Sequence, residues 1–168
     1  MDRLKFTLKA WPAITLITVA LCILTQFGAK LFGIELPDQA NVAAVRSLLS
    51  HAFDSWGHFS RSAQVLAMVL LIMPVTEEVA FRWFCFRSFS SRLPAAAAPV
   101  RAVASSILFS AAHYLLQPFP DNAFLALFFF GLAQCWLYSR TGGVGYPMLN
   151  HSLFNLTNLA LMFMLPQA

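Results

Sequence analysis

The chain's 168 residues are 59% hydrophobic and only 11% charged, with a mean hydropathy of +0.68. A soluble domain carries about 25% charged residues, so composition excludes a water-soluble globule and indicates an integral membrane protein. The net charge of +4 is spread over segment ends, where basic residues orient membrane helices, and gives no nucleic-acid patch.

Taken in order, the chain offers five apolar segments: 11–32, 62–86, 102–116, 123–138 and 144–165. None alternates every second residue as a membrane β-strand does, so helices are expected. The fold class read from this pattern is all-α: a polytopic bundle of about five spanning helices, one integral membrane domain over 1–168. Its parts are an N-terminal helix at about 11–32, a connector at about 33–61 and a core at about 62–162. Arg3, Lys5 and Lys9 ahead of the first segment resemble a signal peptide's start. The apolar run is long and no A-x-A site follows, so a retained first helix is expected.

In the connector, Val42, Val45, Leu48, Leu49, Ala52, Phe53 and Trp56 recur at helical spacing, with Gln39, Arg46, Ser50 and Asp54 on the other side. This predicts an amphipathic helix, either in the membrane interface or capping the bundle. Arg87, Arg92 and Arg101 fall between the second and third segments and Arg140 between the fourth and fifth. Neither the 117–122 loop nor the 166–168 tail has a basic residue. The positive-inside rule then predicts a cytoplasmic N terminus and an external C terminus. Lys30, Arg46 and Arg61 lie toward the external side and argue mildly against it. Pro94, Pro99 and Gly142–Gly143 mark loops. Cys22, Cys85 and Cys135 are far apart without C-x-x-C spacing, which predicts buried thiols.

Glu77, Glu78 and Arg82 interrupt the second segment, at a cost of roughly 2.5–3.5 kcal/mol for each charged residue at a helix centre. Glu78 and Arg82 are one helical turn apart and can pair. Glu77 then points about 100° away and is free for chemistry. His113 follows Phe109 by one turn in the third segment, and His151 precedes Asn155 by one turn in the fifth, with Asn158 on the same stripe. Counted at 1.5 Å per residue from the nearest basic boundary, Glu77, His113 and His151 all lie roughly 15–18 Å deep. That is near the middle of a hydrocarbon core about 30 Å thick.

Bland explanations exist for each motif alone: a bracing ion pair for Glu78 and Arg82, a packing histidine at position 113, interhelical polar contacts for His151 and Asn155. Together they describe a site. A carboxylate and a histidine can hold and deprotonate a water for attack on a peptide carbonyl, and His151 and Asn155 can donate to the oxyanion. Ser110 and Ser152 are poor nucleophile candidates because neither sits in a G-x-S-x-G turn. Zinc held by Glu77, His113 and His151 is an alternative, although H-E-x-x-H is absent.

The motifs Glu77-Glu78-x-x-x-Arg82, Phe109-x-x-x-His113 and His151-x-x-x-Asn155, in this order on apolar helices, resemble those of the CPBP family of CAAX prenyl endopeptidases and bacterial Abi-type membrane proteins. The resemblance spans roughly 64–161. It implies a glutamic-type intramembrane protease without cofactor. In it Glu77 and His113 activate water, His151 and Asn155 stabilise the oxyanion, and Glu78 and Arg82 support the site. CAAX endopeptidases are larger. A chain with about five helices is more similar to small prokaryotic members that process bacteriocin leaders or trim C-terminal sorting tails. The resemblance therefore implies a membrane-tethered peptide or protein substrate, the lipid bilayer as partner, no nucleic acid, and a prokaryotic plasma-membrane location. Non-enzymatic readings are a bacteriocin immunity or maturation protein and a proton-coupled transporter, the latter disfavoured by the lack of a repeat.

Overall fold

The computed structural model describes residues 2–34, 40–88, 97–116 and 121–164; Gln39, Arg92, Pro94, positions 117–120 and the tail from 165 lie outside the described residues, as does the side chain of Val42. Six helices make up the described chain: α1 (Arg3–Leu31), α2 (Ala40–Ser50), α3 (Trp56–Arg87), α4 (Ala98–Leu116), α5 (Asp121–Thr141) and α6 (Gly145–Met164). The expected all-helical fold holds. Two of the helices, α1 and α3, are long and apolar enough to cross a membrane.

Several boundaries differ from expectation, and at two of them a capping side chain gives the reason. The first helix starts at Arg3 rather than Trp11, because the Asp2 carboxylate caps it by accepting from the Leu4 and Lys5 N–H groups at 3.1 and 3.2 Å. The connector helix ends at Ser50 instead of running to Trp56. Ser55 takes extended geometry and its Oγ accepts from the His58 N–H at 3.2 Å, so Trp56 opens α3. The apolar period continues across this break, and the cap residue alone marks it.

α5 is the central helix, packing against α1, α3, α4 and α6. Phe6 meets Trp136 while Ile14 meets Phe130, so α1 and α5 are antiparallel. Phe81 meets Phe109, and Glu78 meets His151 while Val69 meets Asn155, so α3 is antiparallel to both α4 and α6. Helices α1, α4 and α6 therefore run one way and α3 and α5 the other. This brings Arg3, Lys5, Lys9, Arg87, Arg101 and Arg140 to one end of the bundle.

Helices α4 and α5 touch where Gly131 faces Ser106. A Cβ there would lie 3.0 Å from the serine Cβ and Oγ and 3.1 Å from its Cα. Small residues let the two backbones approach, the device by which apolar helices associate in lipid. Polarity is inverted relative to a soluble protein. Leu16, Leu24 and Leu115 are 69%, 63% and 80% exposed, whereas Glu78, Arg82, Gln134 and Asn150 have no exposure at all. Cys135 is buried as expected, Cys22 and Cys85 are half-buried, and all three are free thiols.

Candidate active site

The site begins with a helix irregularity. Pro74 sits inside α3 and has no N–H to give. Ahead of it the helix widens into a π-turn over Met68–Ile72, in which the Met73 N–H bonds the Met68 carbonyl five residues back. The Val69 carbonyl thereby loses its α-helical donor, Met73, and its π-helical donor would be Pro74. The Asn155 Nδ2 supplies the missing bond from α6, donating to the Val69 oxygen at 2.8 Å. A second π-helical stretch, Val79–Ser88, follows the two glutamates.

Glu77 and Glu78 occupy the short α-helical interval between these irregularities. The Arg82 Nε lies 3.0 Å from Glu78 Oε2, confirming the one-turn pairing read from the sequence. Their alignment is poor for a hydrogen bond, so the attraction is chiefly Coulombic. The guanidinium also lies over the Phe109 ring, 4.8 Å from its centroid. Glu78 Oε1 accepts a second contact, from the His151 Nδ1 at 2.9 Å. Glu78 is thus shared between a cation on its own helix and an imidazole on α6.

Glu77 reaches the other nitrogen of the same His151 ring, and His113 as well. Its Oε2 lies 3.5 Å from His113 Nε2 and 3.7 Å from His151 Nε2. Both separations are beyond a good direct hydrogen bond. Each imidazole is fixed through its remaining nitrogen. The His113 Nδ1 is 2.9 Å from the Phe109 carbonyl, which can only accept, so Nδ1 carries the proton. His151 Nδ1 is held in a similar way by the Glu78 carboxyl group, at 2.9 Å. Both Nε2 atoms therefore turn toward one carboxylate oxygen. Glu77 and His113 keep 17% and 15% of their side-chain exposure, whereas Glu78 and Arg82 keep none. The first pair is partly open, although Glu77 Oε2 itself is buried and has no hydrogen-bond partner among the described residues.

Phe109 is the hub of the packing. Its ring is 4.4 Å from His113, 5.3 Å from Phe81 and 6.1 Å from both His151 and Phe130. Phe130 of α5 stands 5.0 Å from the His151 ring and walls the site on that side. Ser110 and Ser152 donate to the Ser106 and Met148 carbonyls of their own helices at 3.0 Å each. Neither hydroxyl is bonded to an imidazole. Among the described residues no group of three or more His, Cys, Asp or Glu has the geometry to hold a metal ion.

The structure thus gathers Glu77, Glu78, Arg82, His113 and His151, and places Asn155 one turn from His151 on the Val69 carbonyl. Sequence reasoning missed the Glu78–His151 contact and Phe130. It also missed Gln134 and Asn150, two fully buried amides with no hydrogen-bond partner among the described residues. A glutamine inside an apolar helix is a signal that could have flagged Gln134.

The family model for type II CAAX prenyl endopeptidase Rce1-like proteins matches residues 59–157, more than half of the chain, and covers α3 to α6 with every residue of this site. No curated protein and no solved structure matches significantly. With the three motifs meeting around Glu77, the match places the chain in the type II CAAX prenyl endopeptidase Rce1-like family of membrane-embedded proteases.

Proposed function

We propose that the chain is a glutamic-type intramembrane endopeptidase that hydrolyses a peptide bond in a membrane-tethered peptide or C-terminal sorting tail. The carrying observation is that Glu77 Oε2 lies between the Nε2 atoms of His113 and His151, at 3.5 and 3.7 Å, with both imidazoles pinned at Nδ1. Groups this close can exchange a proton, and all three can contact one water placed beside them.

In this reading the water gives its proton to the Glu77–His113 pair as its oxygen attacks the scissile carbonyl. The neutral His113 Nε2 has a lone pair facing Glu77, so the two can hold one transferable proton between them. The oxyanion is met by Asn155 and His151. Asn155 has two amide protons: one is fixed on Val69, which orients the second. His151 can donate from Nε2 only as an imidazolium, because its Nδ1 proton is committed to Glu78. The Glu78 carboxylate balances that charge, and the Arg82 guanidinium lies 3.0 Å from Glu78 on its other oxygen. Collapse of the tetrahedral adduct breaks the C–N bond, and the leaving amine takes the proton held at Glu77–His113.

The helix directions support five spans (α1, α3, α4, α5 and α6), with α2 lying along the interface and the basic end cytoplasmic. A prokaryotic plasma membrane and a small peptide or tail substrate remain part of the proposal. The test is cleavage of a panel of membrane-tethered peptides by purified protein in detergent. Glu77→Gln and His113→Gln should each lower kcat by about 10²–10⁴-fold, the usual share of a positioned base, with the thermal midpoint retained. Normal cleavage by Glu77→Gln would remove the assigned base. Loss of wild-type activity to a chelator, restored by zinc, would replace the mechanism with a metal-dependent one.

A further inference from the structure

At the basic end of the bundle, away from the Glu77 site, α3, α4 and α5 leave a hollow of about 350 Å³ between their ends. Arg87 closes α3 there, Ala98 and Arg101 open α4, and Tyr138, Ser139 and Gly142 complete the wall from the end of α5. We propose that this hollow binds the phosphate headgroup of an anionic phospholipid.

Three independent features point to that ligand. The first is charge. The helix directions bring Arg3, Lys5, Lys9, Arg87, Arg101 and Arg140 to this end, and Asp2, a carboxylate at the same end among the described residues, pairs with Lys5 at 3.6 Å. The second is donor geometry. Two guanidinium groups on different helices line the hollow, each a planar fork suited to phosphate oxygens. Arg101 is steadied by the Phe86 ring, 5.9 Å from its centroid, and Phe86 in turn packs edge-on against Tyr138 at 5.9 Å. The first turn of α4 borders the same hollow through Ala98 and Arg101, at the positive end of the helix dipole. The Ser139 hydroxyl already donates to the Cys135 carbonyl at 2.8 Å, so it supplies no donor.

The third feature is position. The hollow lies where apolar helix surface meets the charged end, with Trp136 43% exposed on the same turn of α5 as Tyr138. Aromatic residues of this kind mark headgroup depth. Basic recesses between helices at that depth are sites for anionic headgroups. The ligand arrives there with its acyl chains already in the bilayer. The inference is independent of the hydrolytic reading, because none of these side chains touches the Glu77 cluster.

The test uses the full chain in detergent and counts lipids retained in native mass spectrometry after titration with phosphatidylglycerol or phosphatidylcholine. One phosphatidylglycerol should be retained in preference to phosphatidylcholine. Arg87→Gln and Arg101→Gln should each weaken it about fivefold, as removing one cation beside a headgroup does. Arg140→Gln, at the same end but outside the hollow, should change it less than twofold. If Arg101→Gln does not fold, Arg101→Lys and the solvent-facing Arg87→Gln carry the comparison. Equal retention of the two lipids, or an equal loss in Arg140→Gln, would overturn the site. Complete displacement of the lipid by millimolar inorganic phosphate would assign the hollow to free phosphate instead.

Discussion

Arg82 holds a full positive charge where no surface is exposed, and such a charge persists only with a partner. Glu78 at 3.0 Å and the Phe109 ring at 4.8 Å are that partnership. Removing one member of a buried pair costs about 3–5 kcal/mol, because the other is left uncompensated, whereas replacing both by apolar groups is often neutral. Arg82→Met and Glu78→Met should therefore each lower unfolding stability by about that much, and the double variant should recover most of it. Activity should not recover with stability. Without Glu78, the His151 Nδ1 loses the acceptor that fixes its tautomer and orientation. Denaturant unfolding and peptide cleavage on the same four proteins check this. A double variant that regains cleavage along with stability would reduce Glu78 to an ion-pair partner. The one-turn spacing of Glu78 and Arg82 made their pairing legible from the sequence, because adjacent turns of one helix fix that distance. The Glu78–His151 contact was not legible, since it depends on how two helices 73 residues apart are set against each other.

At the scale of the element, α3 runs regularly to Ala67 and then holds a short regular interval, Met73–Glu78, between two irregular stretches. Pro74 withholds an N–H, the π-turn before it strands the Val69 carbonyl, and Asn155 reaches across from α6 to satisfy it. The cross-helix bond registers α6 against α3 and sets His151 opposite Glu78. Pro74→Ala restores an N–H at position 74 and lets the turn relax toward an ordinary α-helix. That relaxation competes with Asn155 and rotates Glu77 and Glu78 relative to the two histidines. A misplacement of about 1 Å can cost about 10²-fold in rate. The variant should thus lose kcat by about 10–10²-fold while its thermal midpoint holds or rises, because alanine favours the helix that proline interrupts. Wild-type kcat in Pro74→Ala would detach the irregularity from catalysis. The periodicity of the chain located the long helices, and the clustered charges located the site. The π-turn at Met68–Ile72 was invisible to it, because it involves one missing N–H and one distant amide. The break at 51–55 was equally hidden, since Val45, Leu49 and Ala52 continue the helical apolar spacing into it.

The whole molecule is arranged with its polar groups inside and its apolar groups outside. Leu16, Leu24, Leu71 and Leu115 face outward, while Glu78, Arg82, Gln134 and Asn150 are enclosed. In water such a surface would drive aggregation, whereas in a bilayer it is the favourable arrangement. The same inversion explains why composition revealed the fold class before any motif was read. It also makes the path of the chain testable. Antiparallel packing places Asp2 and Arg140 at one end, and the α2–α3 corner holding Asp54 follows α1 at the other. Single cysteines at these positions, in a background with Cys22, Cys85 and Cys135 replaced, report their side of the membrane. With the basic end cytoplasmic, a membrane-impermeant maleimide should label Asp54→Cys on intact cells, and Asp2→Cys and Arg140→Cys only after permeabilisation. The reverse pattern would invert the orientation but keep the spans. Labelling of all three from one side would mean that α1 does not cross the bilayer, and would return the Arg87–Arg101 hollow and the Glu77 site to a different solvent.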